Sequence, residues 1–220
     1  MLAAVITGDI IHSTGHPGFL DKLQEVLKET SRSFGFNTKN WEIYRGDSFQ
    51  CVIENPEEAL MVAMCIRAGL RSKAYYPDFA DRFDAKIAIG IGEITSLRDK
   101  PGESAGTAFL YSGRKLDELQ EKKYHLAIHS DFGIFDPLAD TVLRFIDDTL
   151  TGWSDASADT ACYHWFGKFN QEQLAERLGI SQPAVNKRLH TARIQLLEYA
   201  DKNFKLTLQN LTHDRTSHTV

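Results

Sequence analysis

The sequence predicts an α+β fold: a ferredoxin-like (palm) antiparallel sheet with helices on one face, followed by an all-α unit containing a helix-turn-helix. Three observations predict it. Up to about residue 130, short apolar runs alternate with amphipathic stretches in the order β-α-β-β-α-β, then a helix and another strand. Beyond Phe135 no strand pattern recurs. From Asn170 to Tyr199 two short helical patterns flank Gly179-Ile180-Ser181. The expected organisation is 1–132 for the sheet unit, 133–210 for the helical unit with its helix-turn-helix at 170–199, and a frayed tail at 211–220.

Leu2 to Thr7 is an apolar strand ending at Gly8-Asp9, and a polar loop from His12 to Gly18 follows. Phe19, Leu20, Leu23, Val26, Leu27 and Phe34 then recur at helical spacing. Trp41 to Ile53 reads as a hairpin around Arg45-Gly46-Asp47-Ser48. Asn55-Pro56-Glu57-Glu58 is a helix start, with a capping Asn, Pro in the first turn and two acids near the positive end of the helix dipole. In Asp84 to Gly92, Ala85, Ile87, Ile89 and Ile91 share one strand face. Ala88, Gly90 and Gly92 share the other, small enough to admit a helix or a ligand. Pro101 to Ser104 is a loop, Gly106 to Glu121 holds a helix and Tyr124 to His129 a strand. Pro137 to Leu150 and Ala156 to Phe166 are helical.

The helix-turn-helix carries its own punctuation. Asn170 is an N-cap with Gln173 as capping-box partner. Leu174 and Leu178 face inward, and Ala175 is small where two helices cross. Gly179 supplies the left-handed residue that ends the first helix. Ile180 fills the corner, Ser181 caps the second helix, and Pro183 is tolerated in its first turn. Val185, Leu189 and Ala192 continue the buried face. Gln182, Asn186, Lys187 and Arg188 are left outward, with Ser181 and Arg193 at the ends. These side chains carry the donors and acceptors that contact base edges and phosphates of DNA in a major groove. The alternative is a helical hairpin that only packs.

Charge agrees with that placement. Residues 167–220 carry 8 Lys+Arg against 5 Asp+Glu, a balance of +3, whereas 1–166 are at −8. A polyanion contact therefore belongs to the C-terminal part. No apolar run approaches the ~20 residues that span a bilayer. No basic flank precedes the apolar N-terminal stretch, so no signal peptide is expected. Cys51, Cys65 and Cys162 lack metal spacing and read as reduced, packed thiols, which together point to a cytoplasmic protein. No Ser-His-Asp or Cys-His arrangement is present. His12 and His16 near Asp9 could assist a metal but read first as exposed loop residues, and His164-Trp165-Phe166 reads as helix core ahead of a ligand-stacking box.

Asp9 at a strand end and Asp47 at a hairpin tip would be neighbours in a palm. Two such carboxylates could hold Mg²⁺, which completes its shell with water and phosphate oxygens. Gly8 and Gly46 would let backbone approach a phosphate, with Ser48 beside them. The other reading is that both acids cap turns.

Over roughly residues 1–130 these motifs resemble class III nucleotidyl cyclases. The resemblance implies metal binding by Asp9 and Asp47, nucleotide contacts from Glu103, and a transition-state role for Arg114, which follows Gly106 in the matching frame. The chain departs from the pattern at Ile43, where a base-reading Lys is expected, and at Leu110, where an Asn is expected. Ligand binding is therefore preferred, with turnover ranked behind both binding and turn capping. Leu178-Gly179-Ile180-Ser181 and the Lys187 to Arg193 run resemble region 4 of sigma factors, over about Ala158 to Tyr199. Sigma region 2 has no counterpart. As a whole the chain is similar to the SatD family, through Val5 to Ile10, Arg45 to Gln50, Ile87 to Gly92 and Ser112 to Leu116.

The expectation is a cytoplasmic DNA-binding transcriptional regulator whose N-terminal unit senses a nucleotide or phosphate ligand, as a homodimer paired through that unit. The alternative is a metal-dependent nucleotidyl cyclase or transferase with a DNA- or polymerase-docking tail. A third reading makes the helix pair an RNA polymerase contact.

Overall fold

A computed structural model describes residues 1–11, 13, 16, 18–44, 46–79, 81–98 and 100–217. The chain is α+β, with a six-stranded, mainly antiparallel sheet and eight α-helices among the described residues. The strands are β1 (Leu2–Ile10), β2 (Trp41–Tyr44), β3 (Ser48–Ile53), β4 (Ala85–Ser96), β5 (Ala105–Gly106) and β6 (Leu126–Ser130). The helices are α1 (Phe19–Phe34), α2 (Ala59–Arg71), α3 (Thr107–Gln120), α4 (Phe135–Thr151), α5 (Asp155–Trp165), α6 (Gln171–Leu178), α7 (Gln182–Thr191) and α8 (Ile194–Ser217). The sheet runs β2-β3-β1-β4 with each neighbour antiparallel. β6 lies parallel beside β4, and the two-residue β5 pairs with the end of β4.

Alternation along the strands divides the sheet into two faces. Ala4, Ile6, Phe49, Cys51, Ile87, Ile89 and Ile91 face α1 and α2 in the main core. Ala3, Val5, Val52 and Ile94 face the other way, with Ala108 of α3. The sequence expectation of helices on one face is thus corrected, because α3 covers the opposite one. The small residues of β4 are the physical reason. A Cβ at Gly90 would collide with Ala108 O and Ser112 N, and one at Gly92 with Thr107 Oγ1 and Ala108 N. The space left by these glycines is filled by a helix and not by a ligand.

Helix α2 is buried along nearly its whole length, between the sheet on one side and α4, α5 and α8 on the other. One continuous set of buried side chains runs from the strands through α2 to Phe135, Leu143, Ile146, Leu150, Ala158, Leu197 and Phe204. The sheet unit and the helical unit therefore share a core. Helix α8 also continues to Ser217, through most of the expected frayed tail, while 218–220 lie outside the described residues.

Arg67 sits fully buried in that shared core. Its Nε and Nη2 donate to Asp84 Oδ1 and Oδ2, each at 2.8 Å, and its Nη1 donates to Asp147 Oδ1 at 2.6 Å. Arg71 Nη1 reaches Asp84 at 2.6 Å, and its Nη2 donates to the Thr151 carbonyl at 2.6 Å. Two guanidinium groups thus balance two carboxylates and tie α2 to the start of β4 and to α4. Burial alone would raise the Asp147 carboxyl, but the His125 hydrogen bond and the Arg67 charge hold it below the usual range. Removing one member of such a network leaves the opposite charge buried and unpaired. Arg67→Met should lower unfolding free energy by about 3–5 kcal/mol in urea titration. A loss under ~1 kcal/mol would show the network to be dispensable.

Asp201 of α8 gives the helical unit a pH dependence. Burial pushes its carboxyl up to about 6, against the opposing charge of Lys205 at 3.1 Å. Between the unfolded value near 4 and the folded value near 6 the native state holds the extra proton, so its contribution to stability is lost as pH rises through that window. Asp201→Asn should flatten the melting-temperature profile between pH 4 and 6 without lowering it at pH 8. A profile that keeps the wild-type slope would assign the dependence to other groups.

Candidate functional site

The first candidate is the open end of the β1–β3 pair. The strand expected to stop at Gly8-Asp9 runs on to Ile10, because Gly8 and Asp9 stay paired with β3 and β4. Asp9 stands opposite Ser48 on β3 and Lys86 on β4, and its side chain points to the α3 face. Asp9 Oδ1 accepts from Ser48 Oγ at 2.9 Å, and Oδ2 accepts from Gln120 Nε2 at 3.1 Å. Asp47, in the β2–β3 turn, accepts from Ser13 Oγ at 2.8 Å through Oδ2, and its carbonyl accepts from Ile10 N at 3.1 Å. The two acids are brought to one sheet end, as their sequence positions imply.

The two glycines have different causes. Gly8 faces the main core, where a Cβ would enter the Phe49 ring, so packing requires the glycine. Gly46 has φ 87° with open space around it, so its turn conformation is the reason. Glu103 lies exposed in a 3₁₀ turn whose Gly102 N donates to Glu42 Oε2 of β2 at 3.1 Å. That loop covers the β2–β3 side of the α3 face. Arg114 is exposed, and helical spacing sets it opposite the buried Ala108, Ser112, Leu116 and Leu119 of α3. Within one chain it does not join the Asp9 end. His16 faces Asp81 at 3.3 Å, while His12 and Arg45 lie outside the described residues. No group of three or more His, Cys, Asp and Glu converges on a metal position among the described residues.

Sequence reasoning missed Gln120, Ser13 and a polar chain beneath α3. In that chain Gln50 Nε2 donates to Thr7 Oγ1 at 3.0 Å, and Thr7 Oγ1 donates to Ser112 Oγ at 2.8 Å. Neither a lone Gln at a helix end nor a Thr inside an apolar strand carries a local signal.

The second candidate is the α6–α7 pair. Asn170 and Gln173 form the reciprocal capping box, with side-chain bonds of 3.0 and 2.9 Å. Gly179 adopts φ 62°, and Ile180 N closes the turn on the Ala175 carbonyl at 3.0 Å. Ser181 occupies the N-cap position of α7 in extended backbone, but its side chain makes no capping bond. Leu174, Val185 and Ala192 are buried, while Leu178, Ile180 and Leu189 are half-buried. Trp153 Nε1 donates to the Ala192 carbonyl at 3.0 Å and fixes the end of α7 to the α4–α5 junction. Arg193, at φ 55°, makes the turn into α8. Gln182, Asn186, Lys187 and Arg193 are exposed and Arg188 half-exposed. Neither Lys187 nor Arg188 is held in an ion pair with another described residue. Of the aromatic stretch expected in the core only Phe166 is buried, while the half-buried Trp165 packs on Trp153 at 5.8 Å and the half-buried His164 bonds Glu198 at 2.9 Å.

No family model matches the chain, and no curated protein matches it. The SatD and sigma region 4 resemblances therefore rest on the motifs alone. Two solved structures, each described as a bacterial light-regulated adenylyl cyclase, show a weak likeness. One has a TM-score of 0.37 and 12% identity, covering 58% of this chain and 75% of that chain. The other has a TM-score of 0.36 and 13% identity, covering 58% of this chain and 43% of that chain. No described helix is long and apolar enough to cross a membrane.

The caps separate two contributions that look alike in sequence. Asn170→Ala should destabilise by about 1 kcal/mol, as loss of a working cap does, and Ser181→Ala by a few tenths at most. Urea midpoints of the two variants read this directly. Equal losses would mean that Ser181 caps α7 in solution.

Proposed function

We propose that this chain is a DNA-binding regulator, with α6 and α7 as a helix-turn-helix and the Asp9–Asp47 end of a ferredoxin-like sheet as a phosphate-ligand site. One observation carries the reading. Helix α7 is anchored by Val185, Ala192 and the Trp153 bond on one side, and it presents Gln182, Asn186 and Lys187 to solvent on the other. A short, rigidly held helix with amide and cationic side chains on its outer face suits a major groove. A helix that served only for packing would also turn polar residues to solvent, so the loss of DNA affinity in α7 variants is what separates the two readings. The +3 balance of residues 167–220 adds the long-range attraction to a polyanion.

At the sheet end, Asp9 and Asp47 are hard carboxylates beside polar Ser13, Ser48 and Gln120. This donor set fits Mg²⁺, which takes one or two protein carboxylates and fills its remaining positions with water and phosphate oxygens. Such an ion would neutralise a nucleotide's phosphates at that edge. Gln120 ends α3, so an ion drawing Asp9 away from it would be felt along that helix.

Two outcomes follow. Lys187→Ala and Arg188→Ala should each weaken binding to a selected and a scrambled duplex alike, and a phosphate-contacting one should shallow the log–log salt dependence by about one unit. Gln182→Ala or Asn186→Ala should relax sequence choice, costing ~1–3 kcal/mol at one base pair. Fluorescence anisotropy across a salt series reads both. Unchanged affinity and slope in both cation variants would remove α7 from the groove and favour the polymerase-contact reading.

In thermal-shift assays, ATP or GTP with Mg²⁺ should raise the wild-type melting temperature through binding to the native state. Asp9→Asn and Asp47→Asn should each abolish that shift and keep the fold. Retention of the shift in both variants would displace the site. Unfolding of both would make the two acids turn caps.

A further inference from the structure

Helix α4 has two apolar faces. Phe135, Ala139, Leu143, Ile146 and Leu150 enter the shared core at helical spacing. Ile134, at its N-cap, and Leu138, Val142 and Phe145 form a second stripe, at 78%, 70%, 41% and 73% exposure. Leu196 and Tyr199 from the start of α8 stand across from it at 56% and 66%. Of the ten large hydrophobic residues exposed among the described residues, six are gathered here. They rim a trench of about 1160 Å³, floored by core residues that include Phe135, Leu143 and Phe204.

We propose that this α4–α8 trench is the contact between two copies of the chain, paired about a two-fold axis.

Three features choose a second copy over other occupants. First, knobs and trench lie on the same surface, so the face is complementary to itself, as a two-fold contact requires. Second, the six rim residues leave on the order of 800 Å² of side-chain surface in solvent, taking ~200–250 Å² for each fully exposed large residue. That exceeds the ~300–600 Å² patch of a typical monomer and matches the ~800 Å² that each partner buries in a standard interface. Third, among the described residues the only charged ones in the lining are one acid, Asp148, and one base, Arg193. A nearly neutral face can meet its own copy without repulsion, whereas a partner recruited by charge would call for a rim of one sign. A small-molecule pocket would enclose its ligand and converge polar groups on it. Here the apolar side chains project outward instead.

The face differs from the N-terminal one that the sequence suggests for pairing. Arg193 belongs both to the trench lining and to the turn leaving α7, so pairing would fix the two α7 helices relative to one another. The contact itself does not depend on the proposed DNA binding.

The test is light scattering of the full chain from 1 to 100 μM. The wild type should reach twice the chain mass. Leu138→Glu with Phe145→Glu should stay monomeric throughout, with unchanged far-UV circular dichroism. Leu110→Glu, an exposed leucine on α3, should still dimerise. If the double Glu variant misfolds, Leu138→Ala with Phe145→Ala should raise the dissociation constant at least ~100-fold, the effect of losing two central anchors. A wild type monomeric at 100 μM overturns the proposal, including one that decanoate stabilises, which would make the trench a small-molecule site. A dimer that survives both double variants overturns it as well.

Discussion

The fold depends on a buried charge balance at the C-terminal half of α2. Arg67 and Arg71 face Asp84 and Asp147, and through them one helix holds the entry to β4 and the length of α4. The guanidinium plane explains why arginine stands there. Arg67 engages Asp84 through two parallel bonds and still directs a third donor at Asp147, a geometry that a lysine ammonium cannot match. Desolvating these groups is costly, and the mutual neutralisation offsets that cost only while all four are in place. The same helix end is secured from α5, where Asp159 accepts from Ser72 Oγ at 2.6 Å and from Lys73 N and Ala74 N at 2.8 Å.

This junction has a mechanical consequence. A chain with a sheet unit and a helical unit on separate cores would transmit little between them across a linker. Here α2 is packed on both sides, and Glu58–Lys205 and Glu57–Gln209 add contacts from its N-terminal approach to α8. Helix α3, on the far face of the sheet, ends at Gln120 on Asp9. Contiguous elements thus run from the candidate ligand site, through β1 and α2, to the helices that carry α7. Contiguity alone is not coupling, which requires that a ligand distinguish two states of the chain.

Much of the fold was legible because its signals are local. The alternation in Ala85 to Gly92, the Asn170–Gln173 box and Gly179 each report their own backbone, and the structure shows the elements they specify. The face taken by α3 was not legible, since Gly90 and Gly92 announce a close approach without saying what approaches. The strand's extension through Asp9 was hidden because Gly-Asp is a turn signal in isolation, and only pairing with Ser48 and Lys86 overrides it. Of the candidate site, Asp47 and Ser48 are neighbours in the β2–β3 turn, whereas Asp9 joins them only through the β1–β3 pairing, 39 residues away in the chain. Gln120 and Arg67 act across more than fifty residues of chain, where no spacing rule reaches. The second apolar stripe of α4 was present in the sequence, but a helix with two apolar faces reads simply as buried.

The proposed ligand site and the proposed DNA-facing helix rest on one continuous core, which is the basis for expecting ligand binding to alter DNA affinity. That expectation is tested most directly by fluorescence anisotropy of one selected duplex, titrated at fixed salt with and without saturating Mg²⁺ and the nucleotide that gives the largest thermal shift. The account predicts at least a five-fold change in dissociation constant, the lower end of ordinary allosteric coupling. It also predicts that Asp9→Asn abolishes the change without altering ligand-free DNA affinity. Superimposable wild-type curves, with both ligands bound, would contradict it.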